Sequence, residues 1–164
     1  MYIKKAELND LDSIMDIYHV AQNHMIENGN PTQWGHSYPG RELIESDILN
    51  GNCHVISDES IHGVFALFKT PEPTYEYIEN GNWLNDEEYV TIHRIASDGT
   101  KHNIFKCAVD YCKGIYDNIR IDTHKDNLIM QKVIERNQFI RCGTIYVRNG
   151  SPRMAYQWSK SLMK

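Results

Sequence analysis

The stretch Tyr89-Val90-Thr91-Ile92-His93-Arg94-Ile95-Ala96-Ser97-Asp98-Gly99-Thr100-Lys101-His102-Asn103-Ile104-Phe105 changes its pattern midway, and that change decides the fold. From Tyr89 to Ala96 it is rich in β-branched and aromatic residues, as a strand is. From His102 to Ile115 the apolar residues Ile104, Phe105, Ala108, Val109, Cys112 and Ile115 recur at the spacing of one helical face. A second strand-like run, Ile119 to Thr123, follows. Strand, helix and strand in this order make the crossover unit that builds parallel pairs.

Upstream, Tyr2 to Ala6 reads as a strand. Asn9, with Asp10 and Asp12, supplies an N-cap and first-turn acids for a helix whose inner face is Leu11, Ile14, Met15, Tyr18 and Ala21. Asn28-Gly29-Asn30-Pro31 ends that helix. A second helix runs from Arg41 to Leu49 on Leu43, Ile44 and Ile48, closed by Asn50-Gly51. Cys53 to Ser57 and Ile61 to Thr70 form a hairpin across Asp58-Glu59-Ser60. Downstream, Asp126 to Asn137 is a helix with Ile129, Met130, Val133 and Ile134 inward. Thr144 to Arg148 and Arg153 to Trp158 flank Asn149-Gly150, a strong hairpin signal, with Ser151-Pro152 lengthening the loop. The order is β-α-α-β-β-β-α-β-α-β-β. No repeat or low-complexity tract interrupts it, so residues 1–164 are expected to form a single α/β domain, a mixed sheet with helices on both faces.

A chain of 164 residues can bury a sufficient core without staples. The four cysteines, Cys53, Cys107, Cys112 and Cys142, have no C-x-x-C pair and no histidines at zinc spacing; they read as reduced core thiols, and no metal is expected. A net charge of −5 with no Lys/Arg cluster longer than a pair argues against nucleic acid or an anionic membrane as partner. The amino terminus lacks the apolar run of a signal peptide, and no stretch approaches the ~20 apolar residues of a membrane span, so a cytoplasmic protein acting on small molecules is expected.

The element order, with Ile92-His93-Arg94-Ile95-Ala96-Ser97 running into a helix and Asn127 opening the next, resembles the GNAT superfamily of N-acetyltransferases over nearly the whole chain. The resemblance implies fourth and fifth strands splayed by a bulge, with acetyl-CoA as co-substrate lying in the opening against Arg94, Ile95, Ala96 and Ser97. It also implies a diphosphate site at the start of the third helix, where the family carries R/Q-x-x-G-x-G/A. The matching residues here are Thr100-Lys101-His102-Asn103-Ile104-Phe105, which depart at all three defining positions: Thr100, Asn103 and Phe105. Backbone N–H groups at a helix start bind anions whatever side chains they carry, and asparagine tolerates left-handed backbone. Phe105 must turn into the core for the site to stay open. Lys101 and His102 are cations beside it, and Gly99 gives the loop freedom.

Transfer to an amine needs a base for its proton, a donor for the thioester oxygen and help for the leaving thiolate. His93 is the preferred base, with Glu87, Glu88 and Asp122 as alternatives; the resemblance assigns the oxygen donor to an amide near Ile95. The tyrosine that the family often places near the end of the fourth helix is Ile134 here, which leaves Tyr146 and Tyr156 as candidate acids. His124 is either a polar residue beside the cofactor or a loop cap. Between Pro71 and Glu88 stand six carboxylates and no lysine or arginine, together with Tyr75, Tyr77 and Trp83. They read either as a cation-attracting pocket wall or as a solvated loop. Trp34 and Tyr38, in a cluster with Gln33 and His36, are either acceptor-pocket residues or lid packing. The expected function is transfer of an acetyl group to a small amine in a ternary complex. The alternative is a GNAT-fold CoA-binding or regulatory protein with lost catalysis; a homodimer is left open.

Overall fold

The computed structural model describes residues 1–163. The strands are β1 Tyr2–Lys5, β2 Cys53–Ser57, β3 Ile61–Phe68, β4 Val90–Ser97, β5 Asn118–Thr123, β6 Ile140–Tyr146 and β7 Pro152–Ser159. The α-helices are α1 Leu11–Glu27, α2 Arg41–Leu49, α3 Ile104–Lys113 and α4 Leu128–Arg136. They form the predicted α/β architecture, with seven strands in the order β1-β2-β3-β4-β5-β7-β6. The sheet is mixed. β1, β2 and β3 pair antiparallel, β4 pairs β5 in parallel with Val90 opposite Ile119 and Thr91 opposite Arg120, and β7 runs antiparallel to both β5 and β6.

The backbone gathers into two compact units, Met1–Leu67 with His93–Tyr111 and Phe68–Ile92 with Cys112–Lys164. In the first, Leu11, Ile14, Met15, Ile17 and Tyr18 of α1 meet Ile44 and Ile48 of α2 and Val55 and Val64 of the sheet in one apolar cluster. Each such fully buried aliphatic side chain contributes roughly 1.5–3 kcal/mol. α1 begins at Leu11, behind a 3₁₀ turn, Leu8–Asp10, whose ends close reciprocally: the Glu7 amide donates to Asp10 Oδ2 at 2.9 Å, and the Glu7 carboxylate accepts in return. Glu7 is thus the capping residue of this turn, and Asp10, not Asn9, stands at the N-cap position of α1, without a side-chain bond to that helix. Gly63 on β3 lies under the first turn of α3, where an added Cβ would come within 2.6 Å of Ile104 Cγ2.

The second unit holds a cluster of Tyr75, Ile145 and Ala155 with Ile78, Trp83, Tyr89 and Val147. The long segment between β3 and β4 is tied down. It makes a 3₁₀ turn at Pro73–Tyr75, and Glu79 bridges Thr144 on β6 through two backbone bonds of 2.9 and 2.8 Å. Gly143 makes that approach possible, since a Cβ there would meet the Glu79 carbonyl at 2.4 Å.

Several expectations about facing are corrected. Ile129, expected inward on α4, is 47% exposed, whereas Ile134 is fully buried. Ile115 lies beyond the end of α3 and is exposed, and Leu43 on α2 is only partly covered. β6 begins at Ile140, four residues before the expected Thr144, because the register shift between Arg141 and Gly143 breaks the alternation that would have revealed it. All four cysteines are free thiols; Cys53, Cys112 and Cys142 are buried and Cys107 is half-buried. Burial pushes the Cys53 and Cys112 thiols up to about 12.

Candidate active site

Within β4, Arg94 takes a left-handed backbone conformation, φ 51°. A strand residue there kinks its strand, and an L-residue adopts it at a cost of about 1–2 kcal/mol. The kink turns the Arg94 carbonyl to the Tyr18 hydroxyl, which donates to it at 2.7 Å from α1. The guanidinium is held as well: Nε and Nη2 both donate to Asp47 Oδ2, at 3.1 and 2.6 Å, and Nη1 donates to the Tyr38 hydroxyl at 3.3 Å. Burial works against the charge on Arg94, but Tyr38 and Asp47 outweigh it and hold the guanidinium above its ordinary value. Tyr18, fully buried, is pushed well up by desolvation, with the neighbouring Cys53 adding to the rise.

Trp34 is buried edge-on between the rings of Tyr18 and Tyr38, with centroids 5.7 and 6.3 Å away. Tyr38 is 40% exposed, and its carbonyl accepts from Gln22 Nε2 at 2.7 Å. Trp34, Tyr38 and Arg94 are thus brought together, in company with Tyr18, Gln22 and Asp47. Asp47 was legible as a signal: it lies three residues after Ile44 and next to Ile48, so it is a charge in step with the buried stripe of α2. His93 is half-buried beside Arg94, and Ile95 is likewise half-buried.

Past the kink, Ala96 and Ser97 lead into the loop before α3. Gly99 has φ 79°, and Asn103 has φ 63°. Asn103 therefore keeps the left-handed backbone where the GNAT pattern has glycine, and its carbonyl accepts the first helical bond, from Cys107 at 2.9 Å. Ile104 opens the first turn of α3, the part of a helix whose amides have no partner within the helix itself. Phe105 is buried. With no Cβ on Gly63 the first turn of α3 rests close on the sheet.

The charges around this loop are organised differently from the sequence expectation. Lys101 Nζ lies 3.1 Å from Asp58 Oδ2, on the turn between β2 and β3, so it is already paired. His62 on β3 is bonded at both ring nitrogens, Nδ1 to Asp98 Oδ2 at 3.0 Å and Nε2 to Asp58 Oδ1 at 2.8 Å. Thr100 donates to Asp98 Oδ1 through its amide at 2.8 Å and its hydroxyl at 2.7 Å, and the Gly99 amide donates to Ser97 Oγ at 3.0 Å. Hydrogen bonds donated to Asp98 and Asp58 raise the His62 value above its ordinary one; Lys101 and His62 depress that of Asp58. His102 is exposed. His62 escaped the sequence reading because its second carboxylate, Asp98, lies 36 residues away.

The second unit carries the aromatic residues of the acidic segment. Tyr75 is 2% exposed, and its hydroxyl donates to Asp122 Oδ2 at 2.6 Å. Trp83 Nε1 donates to the Tyr75 carbonyl at 2.9 Å. The face of Trp83 is taken by the chain's own Arg120, whose guanidinium carbon lies 4.2 Å from the Trp83 centroid and 4.0 Å from that of Tyr89. Arg120 is buried, donates to Gln157 Oε1 and the Asn85 carbonyl, and is lowered by desolvation. The rings were read either as a wall for a cationic acceptor or as a solvated loop; Trp83, with Tyr89, holds an internal cation.

Of the remaining candidates, Glu87 Oε2 accepts from Asn118 Nδ2 at 3.0 Å, and Glu88 is exposed. The Tyr146 hydroxyl donates to Glu79 Oε2 at 2.6 Å, a bond that raises the tyrosine. Tyr156 is fully buried and raised by desolvation. Asn127 caps α4, its Oδ1 accepting from the Met130 amide at 3.1 Å, and His124 Nδ1 accepts from the Asp126 amide at 3.1 Å. Among the described residues no group of three or more His, Cys, Asp or Glu side chains could hold a metal ion, and no helix is long and apolar enough to cross a membrane.

Neither a protein-family model nor a curated protein matches the sequence. Solved structures do. A GNAT-family acetyltransferase from Streptococcus agalactiae 2603 is similar at a TM-score of 0.88 with 31% identity, over 97% of this chain and 95% of that one. GNAT-family acetyltransferases from Listeria monocytogenes 4b F2365, with 19% identity, 96% and 94% coverage and a TM-score of 0.72, and from Bacillus cereus ATCC 10987, with 24%, 97% and 96% and 0.61, share the fold. With the kinked β4, the glycine-like backbone at Asn103 and an identity of 31% along nearly its whole length, the chain belongs to the GNAT family of acetyltransferases.

Proposed function

We propose that the protein is an N-acetyltransferase that passes the acetyl group of acetyl-CoA directly to a small amine in a ternary complex. The observation that carries this reading is the left-handed backbone at Asn103, which keeps the loop before α3 in a conformation suited to a diphosphate although the glycines of the GNAT pattern are missing. In this reading the first-turn amides of α3, from Ile104 onward, bind the diphosphate, with Thr100, Lys101, His102 and Asn103 around it. The β4 backbone from Arg94 to Ser97 lines the pantetheine arm, and Asn127 is a further cofactor contact.

His93 accepts the proton that the amine must shed before its lone pair can attack the thioester. The Ile95 amide donates to the acyl oxygen as negative charge gathers on it. Glu88 assists with the proton through water, and Tyr146 is the acid candidate for the thiolate. Trp34 and Tyr38 wall the acceptor side, and Tyr75, Trp83 and Glu87 shape the acidic segment that favours a cationic acceptor. Glu79 is bonded by the hydroxyls of Tyr146 and Tyr77, which lower its value and keep it charged.

Calorimetry with acetyl-CoA and turnover over a panel of amines test the reading. Submillimolar donor affinity with turnover is expected, and His93→Ala should lower kcat about 100-fold while leaving donor affinity within twofold. Absence of donor binding at millimolar concentration would defeat it. Tight binding with no turnover on any amine would select a second reading, a GNAT-fold CoA-binding or regulatory protein without catalysis.

A further inference from the structure

A left-handed kink needs a reason when the residue there is arginine, because glycine would adopt φ 51° freely. The reason lies in the side chain. The Arg94 and Asp47 side chains are 11% and 7% exposed, both Nε and Nη2 fall on one Asp47 oxygen, and Nη1 reaches Tyr38. Together with the Tyr18 hydroxyl on the Arg94 carbonyl, these contacts fix the residue from α1, from α2 and from the segment between them. Buried ion pairs add little net stability, because desolvation offsets their attraction. What this one supplies is geometry: a planar guanidinium gripped on two edges leaves the Cα behind it little freedom to turn.

We propose that Asp47 is a positioning residue for acetyl transfer: by clamping the Arg94 guanidinium it holds the kink that orients the Ile95–Ser97 backbone toward the acyl donor. The inference rests on the function proposed above, but the clamp can be tested apart from it. Asp47→Asn alone leaves a buried cation without its counter-charge, so two double variants accompany it. Asp47→Asn/Arg94→Gly and Asp47→Asn/Arg94→Ala both lack the pair and differ in the ease with which residue 94 holds a positive φ. Amide hydrogen exchange at residues 94–97 and calorimetric affinity for acetyl-CoA are measured for all three.

Asp47→Asn and the alanine double variant should exchange faster than the wild type at residues 94–97. The glycine double variant should recover slow exchange there and bind acetyl-CoA about tenfold more tightly than the alanine one, the ratio that a left-handed penalty near 1.4 kcal/mol gives. A purely structural pair would show no such recovery, because removing a second side chain does not repair a loosened core. Equal exchange and equal affinity in the two double variants would overturn the clamp. If the wild type binds no acetyl-CoA, the function reading fails, and the exchange comparison still decides the clamp by itself.

Discussion

His62 is gripped by a carboxylate at each ring nitrogen, and this arrangement makes folding stability depend on pH in a defined sense. Its folded value lies above the usual histidine range, so the stabilisation is complete below about 6.5 and is lost as pH rises through the raised folded value. Asp58 and Asp98 are depressed, so their contribution is present above about 3.9 and lost as pH falls through their folded values. For Asp98, burial opposes the depression and the two bonds from Thr100 overcome it. Thermal melts of wild type and His62→Gln should show the variant less stable at pH 6, with the gap narrowing by pH 9. A gap independent of pH would mean that the cluster holds His62 neutral.

At the scale of elements, α3 owes its seat to one missing carbon. Gly63→Ala would drive a methyl into Ile104 Cγ2 at 2.6 Å, so either the first turn of α3 or β3 must shift. Overpacking of this kind costs about 1–3 kcal/mol, and under the proposed function, in which that turn supplies the diphosphate donors, it should weaken acetyl-CoA binding as well. A melt and a calorimetric titration of that one variant check both; a stability loss with unchanged donor affinity would separate the turn from the site. The same region shows how far pattern reading reaches. α2 and β2 were legible to the residue, Arg41–Leu49 and Cys53–Ser57, because asparagine–glycine punctuation and unbroken apolar periods bound them. α3 starts at Ile104 and not at the expected His102, because Asn103 takes a left-handed turn that side-chain periodicity cannot register. The letters Ile92 to Ser97 read as an unbroken strand, so a bulge there was expected only through the resemblance to the GNAT family, and its place at Arg94 was not legible. Asp47 could be found as a charge on an apolar stripe; its partner could not, being 47 residues away.

Over the whole molecule, buried polar groups outnumber what the alternating patterns suggest, and each unit handles its charge differently. The first pairs opposite charges, Arg94 with Asp47 and Lys101 with Asp58. The second buries Arg120 among rings, a glutamine and a carbonyl, which spreads the positive charge over neutral dipoles, while Glu76, Asp86, Glu87 and Glu88 of the 71–88 segment are exposed. The thiols follow the same division between hidden and reachable. Cys53 and Cys112 are buried and reluctant to ionise, Cys142 is buried with its thiol also raised, and Cys107 alone is partly open, on α3 one turn beyond Asn103. A maleimide at neutral pH should therefore modify the folded chain once, at Cys107, as mass spectrometry of a tryptic digest would read; modification of Cys53 or Cys112 at a comparable rate would mean that the cores breathe. Nature has left the protein with a ready-made address for a single fluorophore, close enough to the start of that helix to report what arrives there.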